Sequence, residues 1–258
     1  MNLQHIISQM TWSYSRIRCF EDCPYKFFLT YIKCCPEERR FFASFGSFMH
    51  AILERYLSGE LHKDELTGFY LQNFRNEVQG RAPTEKVFSN YFNSGYRYLS
   101  DCNFPTDNVI AVELPVDFNI NGNNFTGIID YVLRTGDGKL ILGDHKSRAL
   151  KPRSNRKKPT QSDKELDKYF EQLYLYCKPI KDIYGEFPES LELNCFRTGD
   201  VISEPFDIKK YEAVLEKFGT RPGQIAINEK WNPNLEFFKC KHLCGKNGSC
   251  EYYQLNEG

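Results

Sequence analysis

Long apolar runs are missing from this chain of 258 residues. None approaches the roughly 20 residues that a membrane-spanning helix requires, so no such helix and no membrane partner is expected. The opening decapeptide MNLQHIISQM lacks the charged and apolar regions of a secretory signal. The expected location is therefore the cytoplasm. A surplus of either charge is also missing, because Lys plus Arg and Asp plus Glu both total 34. A neutral chain argues against wholesale coating of nucleic acid but permits a local basic patch. No G-x4-GK[ST] loop occurs, so a nucleotide-hydrolysing motor of that type is not expected. Cysteine, by contrast, is abundant, with ten residues. Disulfides are rare in the cytoplasm, where clustered cysteines more often hold metal. Hydrophobic residues make up 41% of the chain, with 21 Phe and 16 Tyr, enough for one large core or two small ones.

The most informative stretch is GIIDYVLRTGDGKLILGDHK, residues 127–146. It reads as a β-hairpin turning at Gly136-Asp137-Gly138, with Asp130 on the first strand and Asp144-His145-Lys146 ending the second. Strand side chains alternate, so Asp144 and Lys146 share a face, and antiparallel pairing can bring Asp130 near Asp144. Two carboxylates and an ammonium on one face suit a hard divalent cation beside a general base or charge stabiliser. By itself the pattern also fits an exposed hairpin with ordinary charges.

Around the hairpin the periodicity predicts a helix over 13–23, a second after Pro24, and a helix over 45–57 with His50 beside its apolar face. Two or three aromatic-rich helices follow within 60–100. Strands are expected over 109–120, which carries Glu113, and 124–133, with Asn121-Gly122-Asn123 as their turn. Glu113 reads equally as a third acidic group near the hairpin and as a solvated edge residue. Residues 146–158, KSRALKPRSNRKK, hold seven basic residues and no acid. This loop is either a solvated linker or a phosphate contact through Arg148, Lys151, Arg153, Arg156, Lys157 and Lys158. A helix over 163–178 places Gln172 and Tyr176 four residues apart on one face. A second hairpin over 190–207 and a helix over 208–218 complete the core.

Cys240, Cys244 and Cys250 lie close together in a short Gly-containing segment. Three thiols so spaced point to a metal, with disulfide bonding as the alternative. A fourth ligand is needed. His242 is one candidate, and Cys23 is the better one, because Pro24 ends its helix and exposes the thiol.

Taken in order, these pieces resemble the RecB-like branch of the PD-(D/E)XK nucleases. The matching motifs are S-x-S-(x)7-CP at Ser13, Ser15, Cys23 and Pro24, and G-x3-H at Gly46 and His50. G-x-x-D at Gly127 and Asp130, D-x-K at Asp144 and Lys146, and Q-x3-Y at Gln172 and Tyr176 follow. The terminal cysteines resemble the iron–sulphur subgroup, which includes CRISPR-associated adaptation exonucleases and nuclease domains of recombination helicase–nucleases. The first cysteine gap is three residues here where two is common, and His145 replaces the usual apolar residue in D-x-K.

The resemblance implies an α/β fold of α+β mixed type. A central mixed sheet flanked by helices forms a restriction-endonuclease-like core within one nuclease domain over 1–258. It also implies a helical insertion at about 60–105 and a cysteine segment, 236–253, packed on the N-terminal helix. His50, Asp130, Asp144 and the carbonyl of His145 would bind Mg²⁺ or Mn²⁺. Lys146 would act on the water or the phosphate, Gln172 and Tyr176 would position the substrate, and Glu113 would be an outer acid. Cys23, Cys240, Cys244 and Cys250 would hold a 4Fe-4S cluster in preference to Zn²⁺. The implied activity is cleavage of DNA, as an exonuclease on single-stranded ends, in phage or bacterial DNA processing. A helicase or a recombination, repair or adaptation protein is the expected partner. The alternative is a non-catalytic or weakly active iron–sulphur DNA-binding subunit of such a complex.

Overall fold

The computed structural model describes residues 3–254; the outermost residues of the unit expected over 1–258 lie outside them. Five strands form one sheet in sequential order: β1 (Val109–Ile120), β2 (Asn123–Arg134), β3 (Leu140–Lys146), β4 (Ser190–Cys195) and β5 (Asp200–Pro205). The first three make an antiparallel meander, β4 runs parallel to β3, and β5 returns antiparallel. A parallel neighbour cannot follow a tight turn, so the chain crosses from β3 to β4 through a helix. The β1–β2 turn uses Asn121 (φ +50°) and Gly122 (φ +82°), the paired left-handed residues of a type I′ hairpin. Asn119 Oδ1 accepts the Gly122 N–H at 2.9 Å and locks it.

The helices are α1 (Leu3–Ser8), α2 (Tyr14–Asp22), α3 (Pro24–Phe27), α4 (Phe41–Leu57), α5 (Leu66–Glu77), α6 (Glu85–Ser100), α7 (Gln161–Tyr184), α8 (Ile208–Ala226) and α9 (Glu251–Gln254). They cover both faces of the sheet, because residues alternate across it. Val132, Leu142 and Leu193 join a core with Phe170, Leu173 and Cys177 of α7 and Phe218 of α8. Tyr131 and Leu133 pack instead with Leu57 of α4 and Phe104. Behind α4, Phe45, Phe48 and Met49 form a separate aromatic cluster with Tyr70 and Phe74 of α5 and Leu99 of α6. This is the mixed sheet between helical layers that the sequence predicts.

Three helices run beyond their predicted bounds. α4 begins at Phe41, because Phe41 is itself buried on the face that continues through Phe45 and Phe48. α7 continues past Pro179 and α8 past Pro222. A proline removes one intrahelical hydrogen bond, but here Pro179 with Ile180, and Pro222 with Ile225, are buried on the core face, and packing outweighs the lost bond.

The basic loop is fastened to the start of α7 by one carboxylate. Asp163 accepts hydrogen bonds from Ser154 N (2.7 Å), Ser154 Oγ (2.6 Å), Thr160 N (2.6 Å) and Thr160 Oγ1 (2.7 Å). The Ser154 hydroxyl and the other donors hold its carboxyl well below the usual carboxylate range. A depressed carboxyl contributes stability above its unfolded pKa of about 4 and loses it as pH falls through the folded value. Asp163→Asn should therefore lower the melting temperature at pH 7, with the gap to wild type closing at strongly acid pH. Parallel melts across a pH series measure this.

Candidate active site

The site is built where the middle of β2 meets the end of β3, and register brings the acids together. Tyr131 pairs with Gly143, which sets Asp130 across from Asp144. The pairing is tight because the Tyr131 ring lies over Gly143, where a Cβ would come within 1.9 Å of Tyr131 Cζ. Tyr131 is itself fully buried. Gly143→Ala should therefore destabilise the protein by about 1–3 kcal/mol through overpacking, read as a lower urea midpoint with unchanged slope.

Asp130 is buried, and its Oδ2 accepts the His145 backbone N–H at 2.6 Å. Asp144 is ion-paired with Lys146, two residues on and on the same face. Lys146 Nζ also donates to Gln172 Oε1 of α7 at 3.0 Å and sits 5.1 Å from the Tyr169 ring centroid. His50 reaches over from α4, with its Nδ1 3.5 Å from Asp130 Oδ2. Glu113 arrives from β1: Val112 pairs with Tyr131 and Leu114 with Ile129, so Glu113 stands across from Asp130. Its φ of +45° is one that side-chain-bearing residues adopt rarely and at a cost, and such strain gathers at functional sites. Ligand atoms of His50, Glu113 and Asp130 lie within 4.8 Å of one another. His50 and Glu113 border a cleft of about 500 Å³, also lined by Phe42, Gly46, Glu54 and Ser147.

Lys146 pairs with Asp144, and the carboxyls of Asp130 and Glu113 crowd beside that pair. Burial, and next the negative charge of Asp144, push the Asp130 carboxyl up. Burial, then Glu54 and Asp144, push Glu113 up. Burial lowers the His50 pKa, which keeps its imidazole neutral and its lone pair available. Crowded carboxylates beside a neutral imidazole form an oxygen-rich donor set with one nitrogen, which fits a divalent cation of the Mg²⁺ or Mn²⁺ type.

The structure divides the other predicted residues. His145 sends its side chain into the interior, where Nδ1 lies 2.9 Å from Asn194 Nδ2 and burial drives its pKa well below the usual histidine value. What it presents to the site is backbone. Tyr176 does not open onto the cleft; it is buried over Gly127, where a Cβ would come within 2.6 Å of its ring, and its hydroxyl is hydrogen-bonded to Gln172. Ser13 caps α2 by accepting the Arg16 N–H at 3.1 Å. In the basic loop, Arg148 is paired with Glu165, and Arg153 with Asp167 (2.7 Å) and Glu204 (2.6 Å). Among the described residues no carboxylate partners Lys151, Arg156, Lys157 or Lys158. Sequence reasoning missed Glu54 and Ser147. Glu54 had a signal, since it is four residues from His50 and shares its face of α4. Ser147 follows Lys146 directly but bears no pattern of its own.

None of the ten cysteines is joined in a disulfide. Cys23 Sγ accepts N–H bonds from Lys26 and from Asn234, each at 3.4 Å. Burial raises Cys244 and Cys250, and each is raised further by neighbouring thiols that include Cys23. Cys19 is pushed up to about 12 by burial and packs against the core as a small apolar residue. The cysteine segment is clamped to the loop that leads into α4. Glu38 N donates to Gly245 O (2.8 Å), Arg40 Nε to Cys244 O (3.1 Å) and Lys246 Nζ to Cys35 O (2.6 Å). It also meets the N-terminal helices, through the Tyr25 hydroxyl on Glu251 Oε1 at 2.8 Å.

The family model described as the PD-(D/E)XK nuclease superfamily matches residues 11–251. Among solved structures the chain is similar to a protein of Eubacterium rectale named provisionally as an exonuclease. Identity is 12%, coverage 98% of this chain and 90% of that one, and the TM-score 0.54, a likeness of fold. It also matches the structure of SSO0001 at 15% identity, over 98% of this chain and 93% of that one, with a TM-score of 0.39. No curated protein matches the chain.

Proposed function

The chain belongs to the PD-(D/E)XK nuclease superfamily, and from that premise we propose that it is an exonuclease of the RecB-like branch that cleaves single-stranded DNA ends using Mg²⁺ or Mn²⁺. The observation that carries the reading is the convergence of His50, Glu113 and Asp130 beside the Asp144–Lys146 pair. His50, Asp130, Asp144 and the His145 carbonyl would hold the metal, and Glu113 joins them on the strength of its place across from Asp130. When bound, the ion supplies Lewis-acid polarisation of the scissile phosphate and a water of lowered pKa. The protein's own groups do the rest. Lys146 holds a proton-bearing nitrogen between Asp144 and Gln172, from which it orients the attacking water or stabilises charge developing on the phosphate. Gln172 fixes that ammonium, and Tyr176 fixes Gln172. Lys151, Arg156, Lys157 and Lys158, without a carboxylate partner among the described residues, offer cations to the phosphate backbone just beyond Lys146.

Cys23, Cys240, Cys244 and Cys250 are assigned to a 4Fe-4S cluster. The N–H bonds to Cys23 Sγ support a thiolate there. A helicase or a recombination, repair or CRISPR-adaptation protein is the partner proposed.

The test is product analysis on single-stranded and blunt duplex DNA labelled at either end, with Mn²⁺ or Mg²⁺. The proposal expects release of short products from single-stranded ends and a much slower reaction on the duplex. Cleavage within circular single strands at an equal rate would refute the exonuclease assignment.

A further inference from the structure

We propose that Phe42 and Phe238, with Phe237 and Lys241 beside them, form a base-stacking track that leads a single DNA strand between the candidate metal site and the cysteine segment. The inference rests on the nuclease reading and adds to it a surface that selects single strands. Phe42 lines the same cleft as His50 and Glu113. Its ring centroid lies 6.3 Å from that of Phe238. Phe238 stands in turn 5.0 Å from His242, between Cys240 and Cys244 in sequence. The track is therefore continuous from the catalytic cleft onto the cysteine segment.

Two features say what covers it. Phe237 is 69% exposed and Phe238 48% exposed, whereas Phe41, Phe45 and Phe74 are buried in the core. Their stretch, residues 237–242, reads FFKCKH, with two aromatics, two lysines, a histidine and no acid. Lys241 Nζ lies 5.1 Å from the Phe237 ring centroid and has no carboxylate partner among the described residues. Glu236 holds Lys239 at 2.6 Å, which leaves Lys241 as the unpaired lysine of the stretch among the described residues. Exposed rings with a cation beside them suit a ligand that carries flat apolar faces on an anionic backbone, and a single nucleic-acid strand is that ligand. A duplex presents its base faces already stacked, so the rings gain nothing from it. An apolar protein segment would use the rings but not the cations.

The test compares wild-type protein with a Phe237→Ala, Phe238→Ala double variant, whose exposed positions leave the core untouched. Fluorescence anisotropy with labelled oligo-dT in EDTA reads binding without cleavage. Hydrolysis of bis(p-nitrophenyl) phosphate in Mn²⁺ reads the metal site without a strand. The double variant is expected to bind oligo-dT about tenfold or more weakly, with blunt-duplex binding and small-ester hydrolysis unchanged. Phe238→Trp should keep oligo-dT affinity, and Phe238→Leu, which keeps bulk but not the π-face, should lose it. Wild-type affinity in the double variant overturns the track, as does equal affinity in the Leu and Trp variants or an equal loss on the duplex. A wild-type protein that hydrolyses no phosphodiester, yet binds oligo-dT through these rings, would sink the nuclease reading and leave the track standing.

Discussion

Asp144→Asn is expected to lower phosphodiester cleavage by about 10²–10³-fold or more while the protein stays folded. The substitution keeps the shape of the side chain and removes its charge. Two losses follow. The metal site gives up an anionic oxygen, and Lys146 gives up the carboxylate that holds it. Folding is spared for an electrostatic reason: the charge of Asp144 acts against the buried Asp130 and against Glu113. Removing it relieves repulsion that the metal-free protein otherwise carries. Thermal melts in EDTA should show the variant at or near the wild-type melting temperature. Adding Mn²⁺ should raise the melting temperature of wild type, since an ion that binds only the folded state stabilises it by mass action, and raise that of the variant much less. A purified variant that cleaves at the wild-type rate would refute the role given to Asp144.

Cys250→Ala is expected to act in the opposite way, on the fold first. If four thiolates hold a cluster, removing one forfeits binding free energy that is also folding free energy. The loss would not stay local. Cys244 and Gly245 are tied to Arg40 and Glu38, immediately before α4, and α4 carries His50. Lys246, buried at 4% exposure, is anchored on Cys35 O. The variant should lose the visible charge-transfer absorption of an iron–sulphur protein, precipitate more readily and melt at least several degrees lower. The folded fraction should still hydrolyse a small phosphodiester, because no metal-site residue has changed. A colourless wild-type protein, or a variant that is fully soluble with an unshifted melt, would refute the cluster and its structural role.

The hairpins were legible because their signals are local. Alternation and the turns at Asn121-Gly122 and Gly136-Asp137-Gly138 set the register, and register set Asp130 across from Asp144. Helix ends were less legible. Pro179 and Pro222 are normally stop signals, and only the buried faces beyond them show why α7 and α8 continue. At the site, the position of Glu113 depends on a positive φ and on pairing with β2, neither of which residue type reveals. The spacing of Gln172 and Tyr176 suggested two groups aimed at one ligand. The structure makes them a stack, with Tyr176 on Gly127 and Gln172 on Lys146. A contact between residues 49 positions apart has no signature in a helical pattern. The basic loop offers six candidate phosphate contacts beyond Lys146, yet Glu165, Asp167 and Glu204 engage Arg148 and Arg153 and leave Lys151, Arg156, Lys157 and Lys158. Which charges are engaged is set by neighbours brought in by α7 and β5.

The central claim is that His50, Glu113, Asp130 and Asp144 surround a divalent ion required for cleavage. It is tested most directly by stripping wild-type protein with EDTA, dialysing, and titrating Mn²⁺ back while following cleavage of a labelled single strand, beside His50→Ala. The account predicts no cleavage in the stripped protein, recovery along a saturable Mn²⁺ isotherm, and a clear shift of that isotherm to higher Mn²⁺ for His50→Ala. Cleavage that persists at full rate in EDTA, or a His50→Ala isotherm that overlays the wild-type curve, would contradict it.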